Sequence, residues 1–170
     1  MVCIGIKIRF KNFFLTPPYT FFFNLLICLI ENGEYDWFKF PYDCNNFTCV
    51  ENDGTLYFFG GFNNQEKLTT NQLIEFNLNK RSYLIINING RLPPTRMFHT
   101  AVVYKSKMYV FGGKTTSKSG LSKELNDLWS LDLKKKKWQK IEAKGEIPES
   151  IRGKNHSSSF FFLIRITFIS

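Results

Sequence analysis

Thr100-Ala101-Val102-Val103-Tyr104, followed by Met108-Tyr109-Val110-Phe111-Gly112-Gly113, is the stretch on which the fold turns. Two short apolar runs flank the polar turn Lys105-Ser106-Lys107, and the second run ends in a double glycine. β-branched and aromatic residues bounded by turn residues are strand signals. An apolar run without alternation reads as a strand buried on both faces. The glycines that end it allow positive φ and close approach of neighbouring backbone. The same pattern stands 52 residues earlier as Thr48-Cys49-Val50, then Leu56-Tyr57-Phe58-Phe59-Gly60-Gly61. Pro41 and Pro93 keep that offset.

Downstream the repeat continues at an offset of 55. Asn71–Leu78 pairs with Asn126–Leu133, Tyr83 with Trp138, Gly90 with Gly145 and Pro93 with Pro148. The second copy thus carries three extra residues in the loop after Gly113. Arg96 and His99 return as Arg152 and His156 at offsets of 56 and 57, the opening of a third copy. Each copy reads as four strands. The first has Thr48–Glu51, Leu56–Phe59, Leu73–Leu78 and Ser82–Ile88; the second has Thr100–Tyr104, Met108–Phe111, Leu128–Leu133 and Trp138–Glu142. In the third strand Ile74, Phe76 and Leu78 share one face by period two, as do Trp129, Leu131 and Leu133. A helix over 123–133 is the competing reading, but the matching 71–78 is too short for one.

The motifs Arg96-Met97-Phe98-His99-Thr100, Met108–Gly113, Leu125–Asp132 and Trp138 resemble the kelch repeat, whose period is about 50 residues. The resemblance covers residues 41–158. It implies an all-β chain: a partial kelch β-propeller of about two four-stranded blades plus the start of a third. Complete rings of the family usually have five to seven blades. The structural motif residues carried over are Gly60, Gly61, Tyr83, Arg96, His99, Gly112, Gly113, Trp138, Arg152 and His156. The first copy departs from the pattern. Cys44 and Phe47 stand where Arg96 and His99 stand in the second, and Tyr83 replaces the blade tryptophan.

The chain outside the repeat differs in composition. Of 19 Phe, six lie in residues 1–30 and four in 160–170. Residues 1–40 form a hydrophobic, Phe-rich segment of uncertain structure, and 159–170 an apolar tail. Asn12–Ile30 lacks charge and follows Lys7, Arg9 and Lys11, a targeting-like pattern. Pro17-Pro18 and Asn24 interrupt it, and the run Phe21–Ile30 is far shorter than the ~20 residues that span a bilayer. The expectation is therefore no membrane span, an N-terminal anchor being the alternative.

The formal charge of +9 is concentrated between His99 and His156, where 13 Lys or Arg face six Asp or Glu. These cations are not interleaved with aromatics on one element, so solvated turns are expected rather than a nucleic-acid surface. Lys134–Lys137 in particular reads as a solvated turn between third and fourth strands. Four cysteines without a C-x-x-C, and only two His, argue against zinc and for reduced thiols in a cytoplasmic protein. No nucleophile elbow, metalloprotease or phosphate-loop motif occurs, and no cofactor is expected.

The resemblance implies a protein–protein interaction module, an adaptor or scaffold whose partners are other proteins, and not an enzyme. The alternative is a propeller enzyme of the galactose-oxidase type, whose copper would need a Cys–Tyr pair plus two His. Cys44 or Cys49 with Tyr57 or Tyr109 are the candidates. Strand alternation puts the second-to-third and fourth-to-first loops on one face: residues 62–72, 90–95, 114–123 and 145–151. Long loops on a rigid scaffold collect binding residues. The candidates there are Asn63, Asn64, Gln65, Lys67, Arg91, Thr95, Lys114, Lys118, Lys123 and Glu149. Two blades alone would leave an apolar face open, at Ile74, Phe76 and Leu78 or at Trp129, Leu131 and Leu133. Self-association through such open blade faces is the further expectation, whether the chain is whole or a fragment of a longer propeller.

Overall fold

The computed structural model describes residues 44–142 in full and, as backbone strands, residues 6–8, 25–31 and 34–40. Two compact units divide the chain, Met1–Asn45 and Asn46–Ser170. In the first, β1 (Ile6–Ile8), β2 (Leu25–Glu31) and β3 (Glu34–Phe40) form an antiparallel meander, with β4 (Cys44–Asn45) after it. That meander has three strands, one fewer than a blade, and no Gly-Gly. The strand β2 lies partly in the run Phe21–Ile30, which shows no clear alternation in sequence.

The second unit contains both sequence copies as four-stranded antiparallel meanders. Blade 1 is β5 (Thr48–Asn52), β6 (Thr55–Phe59), β9 (Leu73–Asn77) and β10 (Ser82–Ile86), hydrogen-bonded in that order. Blade 2 is β11 (Thr100–Tyr104), β12 (Lys107–Phe111), β15 (Leu128–Asp132) and β16 (Lys137–Ile141). All eight strands lie within one or two residues of their sequence-expected bounds, and 123–133 is not helical. Two small hairpins were not expected: β7 (Phe62–Asn63) with β8 (Leu68–Thr69), and β13 (Lys114–Thr116) with β14 (Ser122–Glu124). Both sit in second-to-third loops, whose mixed polar composition hides strands of two or three residues.

The tight turns follow local chemistry. Asp53-Gly54 and Lys105-Ser106 take positive φ at both central positions, as two-residue hairpin loops demand. Asn77 Oδ1 accepts from Lys80 N at 2.8 Å, and Asp132 Oδ1 accepts from Lys134 N and Lys135 N. These Asx-type bonds close the third-to-fourth turns.

The main core lies between the blades. Tyr57, Phe59 and Leu73 of blade 1 meet Met108, Val110, Trp129, Leu131, Leu133 and Trp138 of blade 2. Ring centroids of Phe59 and Trp138 are 4.9 Å apart. Parity explains the selection: paired Tyr57↔Glu75 and Phe59↔Leu73 share one sheet face, as do Met108↔Leu131 and Val110↔Trp129.

Three expectations need correction. First, Trp129, Leu131 and Leu133 are not an open face but the floor of this interface. The opposite face of blade 1 is not bare either, since Leu56, Phe58, Ile74 and Phe76 are each at most 3% exposed within the chain. The expected patch at Ile74 and Phe76 is therefore not exposed. Second, Tyr83 does not play the part of Trp138. Trp138 is 5% exposed and wedged on Phe59, whereas Tyr83 is 46% exposed. Its pairing with Phe76 places it on the face away from blade 2, so it takes no part in the core between the two blades. Third, Lys136 of the basic turn is not simply solvated. It pairs with Glu75 of blade 1 and lies 5.0 Å from the Tyr57 ring centroid, and burial lowers its pKa. The twist of the turn, with positive φ at Lys136, swings it towards the interface.

Candidate binding face

The segment joining the blades, residues 90–99, is where the site is built. Its centre, Arg96-Met97, is stitched to both sides by backbone bonds. Arg96 N donates to Thr70 O at 3.0 Å, and Gly61 N donates to Arg96 O at 2.7 Å. On the other side Met97 and Lys114 exchange both N–H···O bonds at 2.9 Å.

Arg96 is fully buried, yet its guanidinium is well satisfied. Nη1 and Nη2 donate to Asp127 Oδ1 and Oδ2 at 2.9 and 3.0 Å, Nη1 also to Gly112 O at 2.9 Å, and Nε to Pro94 O at 3.2 Å. Asp127 Oδ2 accepts in addition from Trp129 Nε1 at 2.6 Å. Burial alone would raise the Asp127 pKa, but the hydrogen bonds and charge of Arg96, with the Trp129 bond, outweigh it and hold the carboxyl below its ordinary value. This two-pronged geometry is what arginine supplies and lysine does not.

His99, 3% exposed, closes the blade junction, with Nε2 at 2.8 Å from Thr48 Oγ1 and its ring edge-on to Phe59. Burial first, then the Arg96 charge, push its pKa down to about 3. It is a neutral, structural histidine. The double glycines fit here through close approach. A Cβ on Gly60 would lie 2.7 Å from Arg96 O, and one on Gly113 2.5 Å from Met97 O.

Asp127 is the residue that the motif reading passed over, although it lies inside the quoted Leu125–Asp132. A signal was available. The first copy, which has Cys44 in place of Arg96, has Gln72 in place of Asp127. The copy without the cation lacks the anion too.

The loops expected on one face do meet. Oγ1 atoms of Thr69, Thr95 and Thr115 form a triangle of 2.8–3.2 Å, joining the second-to-third loop of each blade to the connection between blades. Thr116 N also donates to Thr69 Oγ1. Of the candidates, Thr95 therefore serves this knot, and Lys114 serves the Met97 bridge through its backbone. Asn63 Oδ1 accepts from Gln65 N and Glu66 N, shaping its own turn. Arg91 stacks over Trp129 at 5.6 Å. Gln65, Lys67, Lys118 and Lys123 are exposed, and Asn64 is half-buried. Glu149, Arg152 and His156 lie outside the described residues. The charge-based selection missed Leu92, Phe98 and Leu121, large apolar side chains exposed on the same connections.

The copper arrangement finds no support in the sheet geometry. Cys49 pairs with Phe58 and so faces away from Tyr57, while Tyr109 lies on the far face of blade 2. Burial raises the Cys49 thiol to about 12, which keeps it protonated and unreactive in this environment. Among the described residues no three His, Cys, Asp or Glu lie together as a metal group would need.

Comparison with known proteins agrees with this architecture. Human host cell factor 2 is 35% identical over 109 residues, covering 54% of this chain and 13% of that protein. Bovine Kelch domain-containing protein 3 is 30% identical over 90 residues, covering 53% and 23%. Putative protein tag-53 of Caenorhabditis elegans is 30% identical over 89 residues, covering 51% and 7%. The chain thus spans under a quarter of the length of each of these relatives. The solved structure of YjhT superposes with a TM-score of 0.55 at 18% identity, over 68% of this chain and 44% of that one, a likeness of fold. Residues 38–163 match the KLHDC2/KLHL20/DRC7 Kelch-repeats domain, and on that match the chain belongs to the kelch-repeat family.

Proposed function

We propose that this chain is a non-catalytic protein-binding module, working as an adaptor or scaffold in the cytoplasm, and that it binds through the face carrying the second-to-third loops. The observation that carries the reading is the threonine triangle. Thr69, Thr95 and Thr115 tie three separate loops into one surface, so a partner meets a preformed face and not three independently moving loops. Preorganisation of this kind lowers the entropy cost of association. The loops concerned carry the exposed cations Lys67, Lys118 and Lys123, and the same connections carry the exposed apolar Leu92, Phe98 and Leu121. Apolar anchors inside a polar rim are the usual composition of a protein interface.

The test compares two surface variants of the full chain by proximity labelling and quantitative mass spectrometry. Lys118→Glu with Leu121→Ser alters the proposed face. Lys105→Glu with Lys134→Glu alters the opposite end of the strands. Loss of the same labelled proteins only in the first variant supports the reading. Equal loss in both, or in neither, refutes it.

A further inference from the structure

The outer strand of blade 1 differs from that of blade 2 in one respect that sequence equivalence hides. Both β10 and β16 are the last strands of their sheets, so each carries a row of backbone N–H and C=O groups on its outer side. Strand edges of this kind are ordinarily blunted by charge, proline or a bulge. β16 follows that rule with Lys137 and Lys140. β10 does not. Its sequence, Ser82-Tyr83-Leu84-Ile85-Ile86, contains no charge and no proline. Tyr83, Leu84 and Ile85 are 46%, 63% and 44% exposed, the only consecutive run of exposed large hydrophobics among the described residues. Because side chains alternate, both faces of the strand are apolar at this edge.

We propose that β10 is a self-association edge, pairing antiparallel with β10 of a second copy about a two-fold axis at Leu84. The strand is complementary to itself in that register. Leu84 faces Leu84 of the other copy, Tyr83 faces Ile85, and Ser82 faces Ile86. Aromatic and β-branched residues directly opposite each other are favourable cross-strand pairs. The cations flanking the strand, Lys80 and Arg81, fall opposite the uncharged Ile88 and Asn87, so no like charges meet. A parallel pairing would instead set Lys80 and Arg81 of the two copies beside each other. Two-fold closure uses the β10 edge of both copies at once, so this contact closes on itself and gives a dimer and not a fibre. This association uses the strand edge, not the blade faces, and is independent of the loop surface proposed to bind partners.

Charge exchange at the axis tests it. Leu84→Lys places two lysines opposite each other in the self-pair, and Leu84→Glu two carboxylates. Each variant is expected to weaken the dimer by about tenfold or more in sedimentation equilibrium at low salt. An equimolar mixture places Lys opposite Glu and is expected to restore association, which salt then weakens. Ile85→Lys, displaced from the axis, serves as a second disrupting variant, and heat unfolding of each confirms that the blades are intact. The proposal is overturned if the wild-type chain is a monomer at its highest soluble concentration, if both Leu84 variants stay dimeric, or if the mixture fails to associate.

Discussion

Replacing Asp127 by alanine isolates the interaction that locks blade 2 to the inter-blade segment. In the wild-type chain the Arg96 guanidinium has no exposed surface, and Asp127 answers it with two bonds of 2.9 and 3.0 Å. Without the carboxylate, Arg96 keeps only the carbonyls of Gly112 and Pro94, and its positive charge stays buried. Removing one member of a buried pair typically costs about 3–5 kcal/mol. The Asp127 side chain is 18% exposed, so water can enter the gap, and the lower end, about 3 kcal/mol, is expected. For a chain of this size that lowers the melting temperature by roughly 6–12 °C. The assay is urea unfolding followed by tryptophan fluorescence, which also reports the lost Trp129 bond. Arg96→Met combined with Asp127→Leu should cost less than Asp127→Ala alone, because no buried charge is then left unpaired. A loss below about 1 kcal/mol for Asp127→Ala, or a double variant worse than the sum of its parts, would refute the view that this pair holds the junction.

Other expectations follow from the same junction. Gly113→Ala should destabilise by about 2 kcal/mol or more, since its Cβ would sit 2.5 Å from Met97 O, whereas Gly120→Ala, also at positive φ but with open space around it, should cost only about 1 kcal/mol; equal losses in thermal unfolding would contradict the close-approach argument. His99 has a folded pKa of about 3 against an ordinary 6.5, so the unfolded chain binds the extra proton between those values. Stability should therefore fall as pH drops from about 6.5 towards 3, and His99→Gln should flatten that slope in denaturation midpoints measured across the range. Asp127, whose pKa is depressed by Arg96, contributes stability above its unfolded value of 3.8 that is lost as pH falls through the folded one; Asp127→Asn should remove this acid limb while leaving the His99 limb in place. Lys136→Met should cost about 1 kcal/mol or less, because the pair with Glu75 is partly open to solvent, and the cost should shrink in high salt if charge pairing is its source.

The repeat itself was legible along the chain. Offsets of 52 and 55 carried the strand positions, the meander order and the assignment of loops to one face, because each depends on local alternation and turn residues. The reading of His99 as structural came from its recurrence and that of Arg96 from the kelch resemblance; in the described copy both are buried and hydrogen-bonded. Their counterparts Arg152 and His156 fall outside the described residues.

What the tertiary structure decided is everything that depends on which face meets what. Equivalence by repeat predicts the same environment for Tyr83 and Trp138, but only Trp138 has Phe59 in front of it, so one is buried and the other exposed. Asp127 acquires its role only because the inter-blade segment delivers Arg96 to it from 31 residues away. The three threonines carry no pattern in sequence at positions 69, 95 and 115, and become one cluster through the spacing between blades. Alternation along a strand is a local property that a sequence displays directly. Burial, pairing and exposure are properties of neighbours, and those exist only once the sheets are packed.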